Sequence, residues 1–326
     1  MSRTASLVVL ASLALLAIVA LALALSVGSV PLNIPDVARA LLGQGDETQR
    51  AIVRELRLPR AVAAFATGSA LALAGALLQV LLRNPLADPY VLGVSGGAAV
   101  GALTAMLLSL AAWLVPAAAF AGAIVSTAIV FVLARGDGPW SPVRLLLTGI
   151  VTAAGWAAIV AMILTLAPET QLRGMLFWLI GDLSSPPLSW TPFAAVVLVL
   201  AVAISFARDF NALSHGETVA AAVGVDVARL PWLLFTLAAL LTAVAVSVAG
   251  AIGFVGLIVP QAIRLALGND QRIVLPASAL GGGVLLLVAD TLGRVVAAPA
   301  QIPVGVITAL IGVPLFLVLL ARERPR

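Results

Sequence analysis

The 326-residue sequence contains no cysteine, one histidine (His215), one tyrosine (Tyr90), and no lysine, so every basic residue is arginine. Each absence excludes something. Without cysteine there is no disulfide, thiolate metal site or cysteine nucleophile. A Walker A loop needs a lysine to reach nucleotide phosphates, and an H-E-x-x-H zinc site needs two histidines. Charge is also scarce, at 10% of residues against about 25% in soluble domains. What fills the chain is apolar: 62% of it is hydrophobic, and the mean hydropathy is +1.18. The net charge is only +4, and the pI near 11.1 is high because arginine does not titrate at ordinary pH. The arginines lie scattered between apolar runs, as loop charges of a membrane protein do, and form no basic stripe for nucleic acid.

A bilayer core of about 30 Å takes roughly 20 apolar residues in helix. Ten segments meet or approach that length: 7–27, 60–82, 92–112, 113–134, 143–167, 191–207, 230–250, 252–267, 273–294 and 303–321. The expected fold is therefore an all-α polytopic membrane protein of about ten transmembrane helices in one permease domain, 1–326. The first segment exceeds the usual h-region of about 7–15 residues, and nine more follow, so it reads as a retained helix. A tight turn is expected at 113–116. The two longest hydrophilic stretches are 28–59 and 208–229.

Ten spans put both termini on one side. With the N-terminus in the cytoplasm, eleven arginines fall inside and seven outside, which satisfies the positive-inside rule. Five of the outer seven cluster at Arg39, Arg50, Arg54, Arg57 and Arg60. Two readings fit that cluster equally: a docking face for an acidic partner, or a solvated loop balanced by Asp36, Asp46, Glu47 and Glu55.

Proton-coupled carriers commonly place acids or histidine in mid-membrane, and here the centre of each span has none. Asp290 and Arg294 lie near an outer helix end, four apart, where they can pair. Energy is therefore expected from another subunit. An ion-coupled secondary transporter is the alternative, because backbone carbonyls alone can hold sodium. An intramembrane enzyme lacks a nucleophile–base pair, since His215 lies in a polar loop.

Gly93, Gly97 and Gly101, spaced by four, give one helix a small-residue stripe for close packing. Gly250, Gly253 and Gly256 repeat every three residues and carry the same expectation. The short segment 252–267 contains Pro260, and a discontinuous helix or a merely kinked one fits it equally.

Several strings, in order, resemble one family. They are Arg57-Leu58-Pro59-Arg60, Asn84-Pro85-Leu86-Ala87-Asp88-Pro89, Leu92-Gly93-Val94-Ser95-Gly96-Gly97-Ala98 and Arg144-Leu145-Leu146-Leu147-Thr148-Gly149. Further on come Phe177-Trp178-Leu179-Ile180-Gly181-Asp182-Leu183-Ser184, Gly253-Phe254-Val255-Gly256-Leu257-Ile258-Val259-Pro260 and Ile302-Pro303-Val304-Gly305. This resembles the permease subunits of bacterial ABC importers for ferric siderophores, haem and vitamin B12, over about residues 50 to 320. The resemblance implies a homodimer in the inner membrane with two cytoplasmic ATPase subunits, which hold the ATP and magnesium, and a periplasmic substrate-binding protein. No cofactor is implied for this chain. Arg57, Arg60 and Arg294 match arginines that face the binding protein in relatives.

The segment Leu213-Ser214-His215-Gly216-Glu217-Thr218, continuing to Val223-Gly224-Val225, resembles the family's ATPase-coupling segment of two short helices. Residues 218–223 suit one or two helical turns, and Gly224 suits the stop. Asn84 and Leu86, with Ser141, Pro142 and Val143, resemble the cytoplasmic gate, although a vitamin B12 relative has hydroxyl residues where Pro142 and Val143 stand. Gln261 replaces the histidine of many relatives. With one loop histidine, no cysteine and one tyrosine, little could ligate haem iron axially, so ferric siderophore and vitamin B12 rank above haem.

Overall fold

The computed structural model describes residues 3–28, 30–135, 141–184, 189–298 and 300–322, and among them the regular structure is helical throughout. The helices are α1 (Arg3–Ser26), α2 (Ile34–Leu41), α3 (Glu47–Ala51), α4 (Leu58–Leu81), α5 (Val94–Leu107), α6 (Leu114–Arg135), α7 (Pro142–Leu166) and α8 (Glu169–Ile180). They continue with α9 (Thr191–Ser205), α10 (Ala207–Ser214), α11 (Glu217–Ala222), α12 (Leu230–Ala249), α13 (Val255–Leu267), α14 (Gln271–Val295) and α15 (Val304–Arg322). A π-helical turn, Ile52–Arg57, joins α3 to α4, and a 3-10 turn, Pro89–Leu92, leads into α5.

Each of the ten apolar segments falls on a helix. Among the described residues six helices are long and apolar enough to cross a membrane. The α9–α10 pair, bent by 67°, makes a seventh, and α5, α13 and α15 are shorter apolar helices. Four boundaries differ from expectation. The stretch 28–59 is not a separate hydrophilic segment, because its last third is helical and runs unbroken into α4 as Glu47–Leu81. The turn between α5 and α6 comes earlier, at 108–113, with Ser109 in the left-handed region and Pro116 already inside the first turn of α6. The break before α13 lies at 250–254, where Gly250 and Phe254 have positive φ, while Pro260 sits inside a continuing helix. Helix α8 lies outside all ten segments.

The centre of the bundle is α4. Its spanning window is 89% buried, whereas those of α1 and α7 are 11% buried. Burial on every face requires a helix without bulk, and α4 is built largely of alanine, glycine and leucine. Gly68 lies where a Cβ would stand 2.2 Å from the Gly282 carbonyl oxygen of α14, and Gly75 where one would stand 1.9 Å from the Gly256 oxygen of α13. Dispersion between touching backbones replaces the hydrophobic drive that lipid does not supply.

The Gly93, Gly97, Gly101 stripe lies at a second such crossing. Cβ atoms at Gly97 and Gly101 would stand 2.4 and 2.1 Å from the Gly122 and Ala118 oxygens of α6, while Gly93 faces Gly149 of α7. Ser126 fastens the same place, donating to the Gly93 carbonyl and accepting from the Trp156 indole, each at 2.8 Å. Of the other glycine series, Gly250 and Gly256 are packed close, but a Cβ on Gly253 would meet nothing within 4 Å. That glycine lies in the break, away from any crossing.

Gly97→Leu is therefore expected to lower the thermal unfolding midpoint in detergent, at a cost of about 1–3 kcal/mol for overpacking. Gly155→Leu, at a site open to its surroundings, should leave the midpoint nearly unchanged. Equal shifts would reject the crossing at Gly97.

Candidate functional site

Helices α4 and α14 run antiparallel, so the first turn of one meets the last turns of the other. There Arg60 Nε lies 2.9 and 3.0 Å from the two Asp290 carboxylate oxygens, its Nη2 2.9 Å from Oδ1, and its Nη1 donates to Gln301 Oε1 at 2.6 Å. Both partners are buried, Arg60 to 6% and Asp290 to 1% exposure. Arg294, one turn beyond Asp290, places Nε 3.3 Å from the same carboxylate and donates to the Ala24 carbonyl of α1 at 3.0 Å. Arg57 meets no acid. It donates to the carbonyls of Leu25 at 2.7 Å, Ser26 at 2.9 Å, and Val30. The last carbonyls of a helix have no intrahelical partner, and Arg57 supplies donors to those of α1. Gly28 makes room, since a Cβ there would stand 2.7 Å from Arg57 Nη2.

These three arginines, with Gly28, Ser184 and Gln301 among others, line an open cavity of about 240 Å³. Arg60 and Arg294 share the Asp290 carboxylate while Arg57 bonds only carbonyls, and with Asp182 held nearby by Ser184 the arginines still outnumber the acids around the cavity. Of the three arginines matched to a docking role, Arg57 and Arg60 are buried, and their donors are used within the chain. The neighbouring cluster behaves alike. Arg39 pairs with Asp36 at 2.6 Å, Arg50 donates to the Gly43 carbonyl at 3.3 Å, and Arg54 to that of Leu41 at 2.6 Å. Of the acids expected to balance it, Asp46 instead caps α3 through the Thr48 amide.

At the opposite ends of α4 and α14 lies the 207–229 stretch, which is mostly helix rather than loop. Helix α10 turns sharply from α9 and buries Phe210 and Leu213, and α11 buries Ala220. Gly216 separates the two with φ +113°. Helix α11, one residue earlier than expected, ends in a Schellman arrangement: Gly224 has φ +85° and donates to Ala221, while Val225 donates to Ala220. Ser214, His215, Thr218 and Val223 are exposed, and His215 Nδ1 makes only a local contact with the Asn211 carbonyl.

Two polar ties fasten this region. Glu217 pairs with Arg83, just past α4, at 3.0 Å. Asn211 Nδ2 donates to Asp270 Oδ1 at 2.9 Å, and its Oδ1 accepts from the Gln271 amide at 2.8 Å. Burial disfavours charge on Asp270, yet the bonds from Asn211 and the Arg272 amide hold its carboxyl below the ordinary value. Its folded pKa is thus depressed, so the tie is fully present at neutral pH and is lost only as pH falls through that lowered value.

The gate candidates have local partners. Asn84 accepts from the Leu86 amide at 2.9 Å, and Leu86 is 40% exposed. Ser141 caps α7 by accepting from the Arg144 amide, Pro142 opens the helix, and Val143 is exposed. Behind Asn84 lies a hub absent from the sequence reading. Gln79 donates to the Leu257 carbonyl at 3.2 Å and accepts from Arg264, and Tyr90 Oη accepts from the Ile252 amide at 2.8 Å. Together they hold the break before α13. Among the described residues no group of three His, Asp or Glu side chains could hold a metal ion.

A bundle of long apolar helices around one central helix, 89% buried over its spanning stretch, is the architecture of a multi-pass membrane protein. The FecCD transport family matches residues 15–322, and the chain belongs to that family. It is a multi-pass membrane protein, the permease subunit of an ABC importer whose ATPase is a separate subunit. A cobalamin import permease, BtuC of Halobacterium salinarum, is 45% identical over 281 residues, covering 85% of this chain and 75% of that one. The hemin transport permease HmuU of Yersinia pestis is 42% identical, covering 82% and 83%. The Fe(3+) dicitrate permease FecD of Escherichia coli is 38% identical, covering 89% and 92%. A solved inward-facing structure of a metal-chelate type ABC transporter superposes with a TM-score of 0.84 at 30% identity, covering 97% of this chain and 99% of that one.

Removing one partner of a buried ion pair strands the other charge, at a cost of about 3–5 kcal/mol. Asp290→Ala is accordingly expected to depress the unfolding midpoint strongly, and Arg60→Leu combined with Asp290→Leu to recover most of the loss. A double variant no more stable than the single one would show that the pair is not what holds these helix ends.

Proposed function

We propose that this permease imports a large metal chelate, a corrinoid or a ferric siderophore ahead of haem, as a homodimer. Its partners are two cytoplasmic ATPase subunits carrying ATP and magnesium, and an extracytoplasmic binding protein. The observation that carries the cargo class is the set of relatives: cobalamin, hemin and ferric dicitrate permeases all align over most of the chain. The ranking rests on the chain's own ligands. His215 is exposed at the Asn211 end, the Tyr90 oxygen is engaged by Ile252, and cysteine is absent. Nothing among them favours axial ligation of a haem iron.

Both termini are placed in the cytoplasm, which puts α10 and α11 toward the ATPase and the Arg60 cavity outside. Three arginines against Asp290 and the nearby Asp182 leave a positive balance, which supports an acidic binding-protein surface there. Charges of that kind set encounter rate and orientation more than affinity. The dimer reading is supported by α7, which exposes Val143, Leu147, Ile150 and Val151 along a helical stripe while burying little of itself.

Proteoliposomes holding the permease with its ATPase and binding protein should take up cobalamin or a ferric siderophore only when ATP is supplied. Uptake that follows an ion gradient without ATP would overturn the reading. In the same complex, association of the binding protein should slow once salt brings the Debye length below about 10 Å. Arg294→Gln should flatten that dependence, and an unchanged salt slope would reject the docking role of the cavity.

A further inference from the structure

We infer that Asn211 is a positioning residue that bolts the coupling helix α10 to α14, so that displacement of α10 by the ATPase moves the α4–α14 pair as one body. The inference rests on the functional reading above, which puts α10 and α11 against the ATPase.

The apolar anchors of this region, Phe210, Leu213 and Ala220, are buried, but apolar contacts have no preferred direction and permit sliding. Hydrogen bonds do have one. Asn211 places two of them on the first turn of α14: its amide donates to the Asp270 carboxylate at 2.9 Å, and its carbonyl accepts from the Gln271 N–H at 2.8 Å. That N–H is one of the donors that a helix start leaves without an intrahelical partner. Asp270 spends the same oxygen on the Arg272 N–H at 3.1 Å, so the side chain of α10 completes the cap of α14. Gln271 itself is 1% exposed, so the bonded backbone is fixed in the bundle.

The second tie, Glu217 to Arg83 at 3.0 Å, reaches the end of α4. Its side chains are 35% and 40% exposed, and an exposed pair of this kind contributes little. The Asn211 clasp also has one exposed bond, to Asp270, but its second, from the Gln271 N–H, is partly buried, and that bond makes it the stronger of the two. What it holds is one continuous helix, with Pro276 in its second turn. Helix α14 is 25 residues long, about 37 Å at 1.5 Å per residue. It touches the backbone of α4 midway at Gly68 and Gly282, and its far end is locked by Arg60 and Asp290. A push on α10 is thus delivered through α14 to a pair of helices joined in the middle and at the far end.

The test uses the full complex in proteoliposomes, with ATP hydrolysis and uptake measured together. Asn211→Ala should copurify with the ATPase at wild-type stoichiometry and hydrolyse ATP, while uptake per ATP falls roughly tenfold, within the 5–150-fold span of allosteric couplings. Asn211→Ala combined with Asp270→Ala should lose little more than Asn211→Ala alone, because both remove one and the same connection. The exchanged pair, Asn211→Asp with Asp270→Asn, keeps an acceptor for Gln271 and an amide–carboxylate bond, and should regain coupling. This pair also separates transmission from folding, since a variant lost only to misassembly would not regain its uptake ratio while its ATPase content stays constant. A wild-type uptake ratio in Asn211→Ala, additive losses, or no rescue in an assembled exchanged pair would overturn the clasp. A wild-type complex without ATP-driven uptake would instead overturn the functional reading beneath it.

Discussion

Everything else in this bundle depends on α4 passing its neighbours at backbone distance. At Gly68 and Gly75 even a methyl group would lie within about 2 Å of a carbonyl oxygen on α14 or α13. Such contacts fix both the height and the rotation of one helix against another. Only with α4 at that height does Arg60 fall opposite Asp290, and only then does the chain beyond Leu81 reach the start of α13. Larger residues would hold the helices apart and lose the dispersion that lipid cannot replace. The polar contacts at the ends follow from the glycine contacts in the middle.

The use of arginine alone has a local account. Arg57 satisfies three carbonyls at once, and Arg60 serves a carboxylate and Gln301 together. A planar fork of five donors suits such divided duty, and a lysine ammonium, a compact point charge on a flexible stem, does not. The outer cluster was open to two readings, docking or solvation. In the structure its members are mainly carbonyl ligands at helix ends, a role that neither reading contained.

The spans were legible in the sequence because hydropathy is a local property, and ten apolar runs correspond to ten helices. The short helices were less so. Helix α8 has Glu169, Gln171 and Arg173 in its first half, which breaks the apolar signal that identified the others. The discontinuity near α13 was visible as a short segment, but whether it was a break or a kink at Pro260 was left open, and the structure has the break at 250–254. A proline removes one donor from a helix, whereas positive φ at Gly250 and Phe254 redirects the whole chain. In the candidate site the i, i+4 pairing of Asp290 with Arg294 could be read directly and is present at 3.3 Å. The closer partner, Arg60, lies 230 residues away, and no periodicity reports such a contact. Asn211 carried no signal at all. Asp270, which caps α14, precedes an apolar run as caps do, but it too went unremarked in the sequence.

The helices too short to span end where they can satisfy one another. Gly181 closes α8, Gly250 closes α12, and Gly305 begins α15, and the three meet. A Cβ on Gly250 would stand 2.1 Å from the Trp178 oxygen, and one on Gly305 1.8 Å from that of Ile180. Asp182 donates its amide to the Ala249 carbonyl at 2.9 Å across the same junction. Irregular backbone at membrane depth is tolerated only where protein or water covers its polar groups, and here the broken ends cover each other. Such a junction lets α8, α13 and α15 change direction without exposing a carbonyl to lipid. It lies beside α4, whose own contacts leave it no such freedom. The fold thus divides into a central helix pair in backbone contact and a set of short helices whose broken ends cover one another.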